Sequence, residues 1–358
     1  MPKVLILVAH RPQRSPSQRY RFEQYLPYLT QHGYEFTWSP LLNESDDCVF
    51  YSKGNFPEKL FILLKSLIIR LKDVRRFSHF DILFVQREAL FLGTSFVERR
   101  AMKSGKKVIF DFDDAIWLAD TSPSNKKWEW VKNPIKFNIN VSCASIVIAG
   151  NKYLAEKAGA FNKNVVVIPT TIDTLNHVPI PEKRNKNKLT VGWSGSISTI
   201  KHFESLIPVL QTLKNLFDDR IRFVVYGDSA YEHKMLEIKG VAWSAEGEVD
   251  MLNSFDIGIM PLPEDDWTKG KCGLKALSYM ACGVPVVASA VGMNVDIIHH
   301  GKNGFLASSD EEWLEALKQL LQSFELRESL GKEGRKTVEA CYSVESQKNN
   351  YLNIFRSC

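Results

Sequence analysis

The chain has 358 residues, with 46 Lys and Arg against 41 Asp and Glu for a formal charge of +5, and is 44% hydrophobic and 24% charged. That length exceeds what one compact core usually holds, so two domains are expected, and so small and dispersed a positive excess does not imply nucleic acid; a phosphorylated small molecule or an anionic membrane face suits it equally. Six scattered cysteines (Cys48, Cys143, Cys272, Cys282, Cys341 and Cys358) without CxxC or metal-ligand spacing indicate reduced thiols in a cytoplasmic protein, and no stretch nears the roughly 20 apolar residues of a membrane span.

The apolar start lacks the long h-region and cleavage site of a signal peptide. Residues 3–9 are instead a continuous apolar run ending at His10-Arg11-Pro12, the pattern of a buried parallel strand that delivers a ligand-facing loop at its carboxyl end. Ser17 then stands where it can cap a helix carrying Tyr20, Phe22, Tyr25 and Leu26. Arg19 and Arg21 fall at or near its first turn, against the helix dipole unless an anion or acidic group meets them. Residues 34–40 read as a second strand. Residues 61–77 read as a helix with an apolar stripe and a basic face, which either covers its own sheet or lies on anionic lipid. Residues 81–86 form a third strand delivering Arg87 and Glu88, and 96–103 a helix. Strand 107–111 runs into Asp111, Asp113 and Asp114. Three carboxylates in four residues repel one another unless bases, metal or hydroxyls meet them. Arg19, Arg21 and Arg87, from loops at the same sheet edge, and sugar hydroxyls are the preferred partners. Strands at 146–149 and 165–168 follow.

Residues 179–188 are proline-rich and then charged, the composition of an exposed connection. They divide the chain into a first domain at 1–178, a linker at 179–188 and a second domain at 189–341. Alternation resumes with a strand at 190–193, a glycine- and serine-rich loop to Thr199, a helix at 201–217, and a strand at 222–226 ending at Gly227. A short helix at 249–254 and a strand at 257–260 come next. Residues 267–272 read as a polar, basic loop; Leu274, Leu277, Met280 and Ala281 then recur at helical spacing until Gly283. Such a loop aims backbone N–H groups and the positive end of a helix dipole at phosphate, and Lys269 and Lys271 add full charge. An ordinary αβ unit with a lysine-bearing loop is the other reading. Strands at 284–288 and 304–307 and helices at 310–324 and 325–341 complete the domain. Residues 342–358 form a last helix whose Tyr351, Ile354 and Phe355 need a surface to pack on.

Phe255-Asp256-Ile257-Gly258-Ile259-Met260-Pro261-Leu262, the K-G-K-C-G-L-K segment at 269–275, the YMACGVPVVAS run at 279–289 and Gly301-Lys302-Asn303-Gly304-Phe305-Leu306 together resemble the C-terminal half of family-4 glycosyltransferases. The resemblance continues upstream through 192–196, 111–117, 86–88 and 17–27 and covers nearly the whole chain. It implies the α/β GT-B fold, two Rossmann-like domains facing across a cleft, with the last helix crossing back to the first domain. It also implies retaining, metal-independent transfer of a sugar from a nucleotide diphosphate donor, held by the second domain, to a saccharide or lipid-linked acceptor at the first. No permanently bound cofactor and no nucleic acid enter that picture. The setting implied is surface polysaccharide or glycolipid assembly, in the cytoplasm or at the inner face of the membrane with peripheral contact.

Carried over position by position, the resemblance assigns the donor phosphates to Gly195 and Ser196 by backbone and to Lys201 before its helix, and Gly227, Lys271, Cys272, Gly273, Lys275 and Ser278 are read as donor-binding beside them; a solvated lysine is the other reading of Lys201 and of Lys275. Fixed cations and helix N–H groups stabilise a departing diphosphate without a metal. Asp113 and Asp114 match the place where family members put a histidine or acidic residue near the reacting sugar. There they serve as base toward the acceptor, as ligand of a donor hydroxyl, or as a helix cap. Arg19, Arg21 and Arg87 are assigned to the acceptor side or to a phosphate. One departure is plain: the family's two glutamates, eight residues apart, are Gly270 and Ser278 here. Their contact with ribose and sugar is thereby in doubt, and Glu246 and Glu248 are the nearest substitutes. A sugar-nucleotide epimerase or hydrolase on the same plan, or a non-catalytic nucleotide-sugar binder, are the alternatives; no G-x-G-x-x-G follows the first strand as a dehydrogenase would require.

Overall fold

The computed structural model describes residues 1–52, 54–118, 133, 135–180, 182 and 188–358. They form two compact units, Met1–Thr170 with Lys348–Cys358, and Thr171–Gln347.

The first unit is built on a six-stranded sheet in the order β2-β1-β3-β4-β5-β6, parallel throughout. Its strands are β1 (Lys3–Val8), β2 (Glu35–Pro40), β3 (Ile82–Gln86), β4 (Lys107–Phe112), β5 (Ile146–Ala149) and β6 (Val165–Val167). Val4 to Val8 and Ile82 to Gln86 are buried at every position, which is why these strands read as unbroken apolar runs rather than alternating ones. The helices are α1 (Pro16–Arg19), α2 (Leu26–Gln31), α3 (Glu44–Phe50), α4 (Phe56–Arg75), α5 (Phe96–Lys103), α6 (Ile135–Cys143) and α7 (Lys152–Gly159).

Three local expectations are corrected here. The single helix read after Ser17 is instead α1, capped at Ser15, then a 3-10 turn at Glu23–Tyr25, then α2. Pro16 and Pro27 each sit in a first turn, where a proline starts a helix rather than prolonging one. Arg19 therefore lies in the last turn of α1, where a cation suits the dipole. Helices α3 and α7 were not read from the sequence, although Asn43 and Asn151 cap them, accepting from Asp46 N and Leu154 N at 2.8 Å each. Helix α4 begins at Phe56 rather than Phe61, and it turns Lys59, Ser66, Arg70 and Asp73 inward.

In the second unit a five-stranded parallel sheet has the order β13-β12-β11-β7-β8, from β7 (Leu189–Ser194), β8 (Ile221–Tyr226), β11 (Ile257–Met260), β12 (Val286–Ser289) and β13 (Phe305–Ala307). A small hairpin, β9 (Glu232–His233) and β10 (Ile238–Lys239), follows β8. The helices are α8 (Ile200–Glu204), α9 (Ile207–Phe217), α10 (Glu248–Asn253), α11 (Asp266–Lys269), α12 (Leu274–Ala281), α13 (Met293–Ile297), α14 (Asp310–Gln322), α15 (Phe324–Cys341) and α16 (Val344–Arg356). Trp193, Phe203, Leu210, Phe223, Ile257, Val287, Trp313 and Leu317 fill the core. The helix expected at 201–217 breaks into α8 and α9 because Pro208 opens the second piece.

Of the expected linker, residues 181 and 183–187 lie outside the described residues. The segment before it belongs to the second unit rather than the first. The Arg335 guanidinium donates to the carbonyls of His177 and Thr174, and Asn253 accepts from Ile180 N at 2.6 Å and donates to Val178 O at 3.0 Å. The chain returns to the first unit within α16. Tyr351 stacks on Tyr25 with ring centroids 4.1 Å apart, Phe355 meets Tyr34 edge-on, and Tyr28 Oη donates to Asn349 Oδ1 at 2.7 Å.

Both sheets share one winding rule: the second strand lies outside the first and the third lies on its other side. The direction of winding thus reverses between β1 and β3 and again between β7 and β11. At such switch points a crevice opens beyond the carboxyl ends of the strands, and ligands bind there.

Candidate active site

At the β7/β11 switch point the loop after β7 folds back on itself. Gly195 N donates to Tyr226 O at 2.9 Å and Ser196 N to Thr199 Oγ1 at 3.2 Å, so these two amides, expected to face phosphate, are engaged within the turn. Gly227, with φ +120°, is pressed against Gly195, whose carbonyl oxygen a Cβ would strike. The loop then places Lys201 in solvent and His202 in the interior.

After β11, the stretch expected as irregular loop contains α11, capped by Asp265, whose carboxylate accepts from Thr268 N at 2.7 Å. It presents Trp267. Gly273, with φ +71° and Ile297 where a side chain would go, then starts α12. The amides of Leu274, Lys275 and Ala276 have no carbonyl one turn back in the helix and point their positive ends toward the crevice. Tyr279 keys α12 to the sheet: its buried hydroxyl accepts from Ser194 N at 2.7 Å. Cys272 is buried, with Sγ 3.9 Å from Gly270 O, and Ser278 spends its hydroxyl on Leu274 O at 2.9 Å along its own helix. Glu248 opens α10.

Cations and aromatic rings gather at this crevice. Lys271 Nζ lies 3.3 Å from the centroid of the Trp267 ring and Lys275 Nζ 4.9 Å from that of Trp193, while His202 stacks on Trp267 at 6.0 Å. Lys275 makes no ion pair with any described residue. Burial, and then the charge of Lys271, push its ammonium down to about 7. His202 is pushed down to about 4 by burial, then by Lys275, Lys201 and Lys271, so it is neutral at pH 7. Trp193 Nε1 and His202 Nε2 are both buried without a hydrogen-bond partner, and a buried N–H left unpaired costs about 1–3 kcal/mol. His202, Trp193 and Trp267 were not singled out from sequence; only the adjacency of His202 to Lys201 pointed that way.

At the β1/β3 switch point of the first unit, charges are paired instead. Arg21 and Asp111 have fully buried side chains, joined at 2.6 Å and 3.4 Å, and Arg21 also donates to Ile168 O. Arg21 is thus sealed inside the fold rather than presented to a ligand. Arg87 Nε donates to Asp113 Oδ1 at 2.7 Å, with Nη2 3.6 Å from Asp114. Arg87 holds φ +59° and donates its backbone N–H to Asp111 O, a strained setting that occurs preferentially at functional sites. Nearby, Asp47 is met by Arg11, by Arg14 at 2.9 Å and by His10 at 3.4 Å. Burial works against its charge, yet His10 and Arg14 hold its carboxyl below the usual range. Tyr51 Oη is 3.2 Å from His10 Nε2, and burial raises that phenol to about 12. His10 could be seen at a strand end; Asp47 belongs to α3, which the sequence pattern did not mark, and Tyr51 is the C-cap of that helix.

Among the described residues no group of three or more His, Cys, Asp or Glu is arranged to hold a metal, and no described helix is long and apolar enough to cross a membrane.

Residues 188–323 match the model of the family described as glycosyl transferases group 1. That match lies within the second unit. Spore coat protein SA of Bacillus subtilis is 34% identical over 79 residues, which is 21% of this chain and 21% of that protein. The chain spans between 19% and 33% of the curated relatives it matches. Over the whole chain the glycosyltransferase resemblance is one of fold. The sucrose-phosphate synthase of Thermosynechococcus elongatus superposes with a TM-score of 0.70 at 16% identity, covering 99% of this chain and 98% of that one. HepE of Anabaena, solved with UDP and glucose, gives 0.70 at 15% identity and full coverage of both chains. The architecture is GT-B.

Proposed function

We propose that this chain is a retaining, family-4 glycosyltransferase that moves a sugar from a nucleotide diphosphate to a saccharide or lipid-linked acceptor. The observation that carries the reading is the cation cluster at the β7/β11 switch point. Lys271, Lys275 and the exposed Lys201 converge on a neutral His202, beside an unpaired indole N–H and the amino end of α12. A diphosphate placed there restores the full charge of Lys275. Its negative charge grows as the glycosyl bond breaks, and fixed cations and amides that need no rearrangement stabilise that change most. The lysines supply the positive charge that a divalent ion supplies in other designs, so the reading is metal-independent.

Gly270 and Ser278 offer no carboxylate to the ribose, and Glu248 at the start of α10 takes that role in this reading. UDP is the first nucleotide to test, since HepE was solved with it. In the first unit Asp113, oriented by Arg87, is the group we assign to the acceptor hydroxyl or a donor hydroxyl, with Asp114 beside it. Surface polysaccharide assembly at the cytoplasmic side of a membrane is the setting the sequence resemblance supports.

A thermal-shift screen with uridine, guanosine, adenosine and thymidine diphosphates tests the reading. One of them at 100 times its Kd should stabilise the fold by about 2.7 kcal/mol. That shift disappears in Lys271→Ala and persists in Asp113→Ala, whose transfer is lost. No shift with any nucleotide, or an unchanged one in Lys271→Ala, contradicts the assignment.

A further inference from the structure

Helix α4 wears its polarity the wrong way round for a helix that only covers a sheet. Lys59, Ser66, Arg70 and Asp73 are at most 3% exposed, whereas Leu60, Phe61, Leu64, Ile68 and Leu71 are between 38% and 67% exposed. At 3.6 residues per turn these five side chains fall within an arc of about 100° and a length of about 17 Å. They form one stripe. A covering helix would bury that stripe and leave its lysines and arginines to water.

The inner face is fixed by hydrogen bonds rather than by apolar contact alone. Arg70 donates to Val8 O and Ser39 O at 2.9 Å each and to Ala89 O, and pairs with Asp73 at 2.8 Å. Lys59 Nζ donates to Ser52 O at 2.6 Å. Only Ile62, Leu67 and Ile69 reach the small apolar cluster with Leu41, Leu42 and Leu90. The helix is therefore held in this orientation, and an apolar stripe of this size calls for a partner.

The geometry points to an anionic bilayer surface as that partner. The exposed charged residues of α4 are Glu58, Lys72 and Arg75, so its charge is carried by cations toward the carboxyl end. Helix α5, which packs on α4, adds exposed Arg99, Arg100 and Lys103. Large apolar side chains along one face with cations beside them are what an in-plane interfacial helix presents: the apolar row enters the acyl boundary and the cations meet lipid phosphates. A second copy of the chain fits less well. One helix stripe buries much less than the roughly 800 Å² per partner of a stable dimer, and self-association brings cations against a helix with one exposed acid.

The test is co-sedimentation of the full-length protein with vesicles of phosphatidylcholine alone and of phosphatidylcholine with phosphatidylglycerol. The protein should bind the anionic vesicles and be partly released by salt. Phe61→Ser with Leu64→Ser should weaken binding at least about tenfold, and Lys72→Glu with Arg75→Glu about tenfold on anionic vesicles alone. Because the altered side chains face outward, both variants should keep the wild-type melting temperature. Absence of wild-type binding to either vesicle, equal binding by the Ser variant, or a dimer that the Ser variant dissolves into monomers would each overturn the proposal. Vesicle binding needs no nucleotide, so a protein that binds vesicles but no nucleotide diphosphate sinks the transferase reading and leaves this one standing.

Discussion

The two units wind their sheets alike and load the resulting crevices in opposite ways. At the β1/β3 edge the charges are matched within the chain: Arg21 with Asp111, Arg87 with Asp113 and Asp114, Arg11 and Arg14 with Asp47, Lys136 with Glu88. At the β7/β11 edge Lys275 and Lys271 both act on a neutral His202, and the nearby Asp265 is occupied as a cap. Topology sets where a ligand sits; the side chains set which ligand. A self-neutralised edge suits a hydroxyl-bearing acceptor, and an edge whose Lys275 makes no ion pair with a described residue suits a diphosphate.

That contrast can be broken at either end. The largest effect is expected for Arg21→Met, which leaves Asp111 charged and enclosed without its partner. It should cost about 3–5 kcal/mol in denaturant unfolding, and adding Asp111→Asn should recover much of it. Lys275→Met at the other edge should act in the reverse sense on the empty protein, raising its melting temperature by removing a desolvated cation. The same variant should weaken nucleotide diphosphate binding by about 10²-fold, a loss of about 2.7 kcal/mol. If it behaved like Arg21→Met and simply destabilised, the difference between the edges would be false. Tyr279→Phe, which removes the acceptor of Ser194 N–H, should cost only about 1 kcal/mol of stability. It should also loosen nucleotide binding slightly, measured by the same thermal shift.

Much of this architecture was legible in the residues. Continuous apolar runs marked the buried parallel strands of both units, and the K-G-K-C-G-L-K stretch with Gly283 marked α12 and its amino end. What stayed hidden depended on tertiary context. That α4 faces outward with its leucines follows from Arg70 finding four oxygens on β1, on β2 and after β3, which no local pattern announces. The unpaired state of Trp193 Nε1 arises because the ring packs into the core with no acceptor in reach. Ser278 and Gly270 read as a departure from the family pattern, and the structure adds the reason Ser278 cannot stand in for a carboxylate: its hydroxyl is turned along its own helix. Pairing of the acidic cluster with arginines of the same sheet edge was anticipated, but not which arginine meets which carboxylate, nor that Arg21 and Asp111 would be wholly enclosed.

The central claim is that Lys275 awaits an anion, and calorimetry of UDP binding as a function of pH tests it most directly. Its folded-state value of about 7 lies below the ordinary 10.5 of an unfolded lysine. The unfolded chain therefore binds more protons between those limits, and the stability of the empty protein should rise with pH across that window. A bound diphosphate returns the proton. At pH 8 UDP binding should take up close to one proton, seen by comparing buffers of different ionisation enthalpy, and affinity should fall by up to about tenfold per pH unit above 7. Both signatures should vanish in Lys275→Met. Proton-neutral binding with a flat pH profile, or undiminished affinity in that variant, would contradict the account.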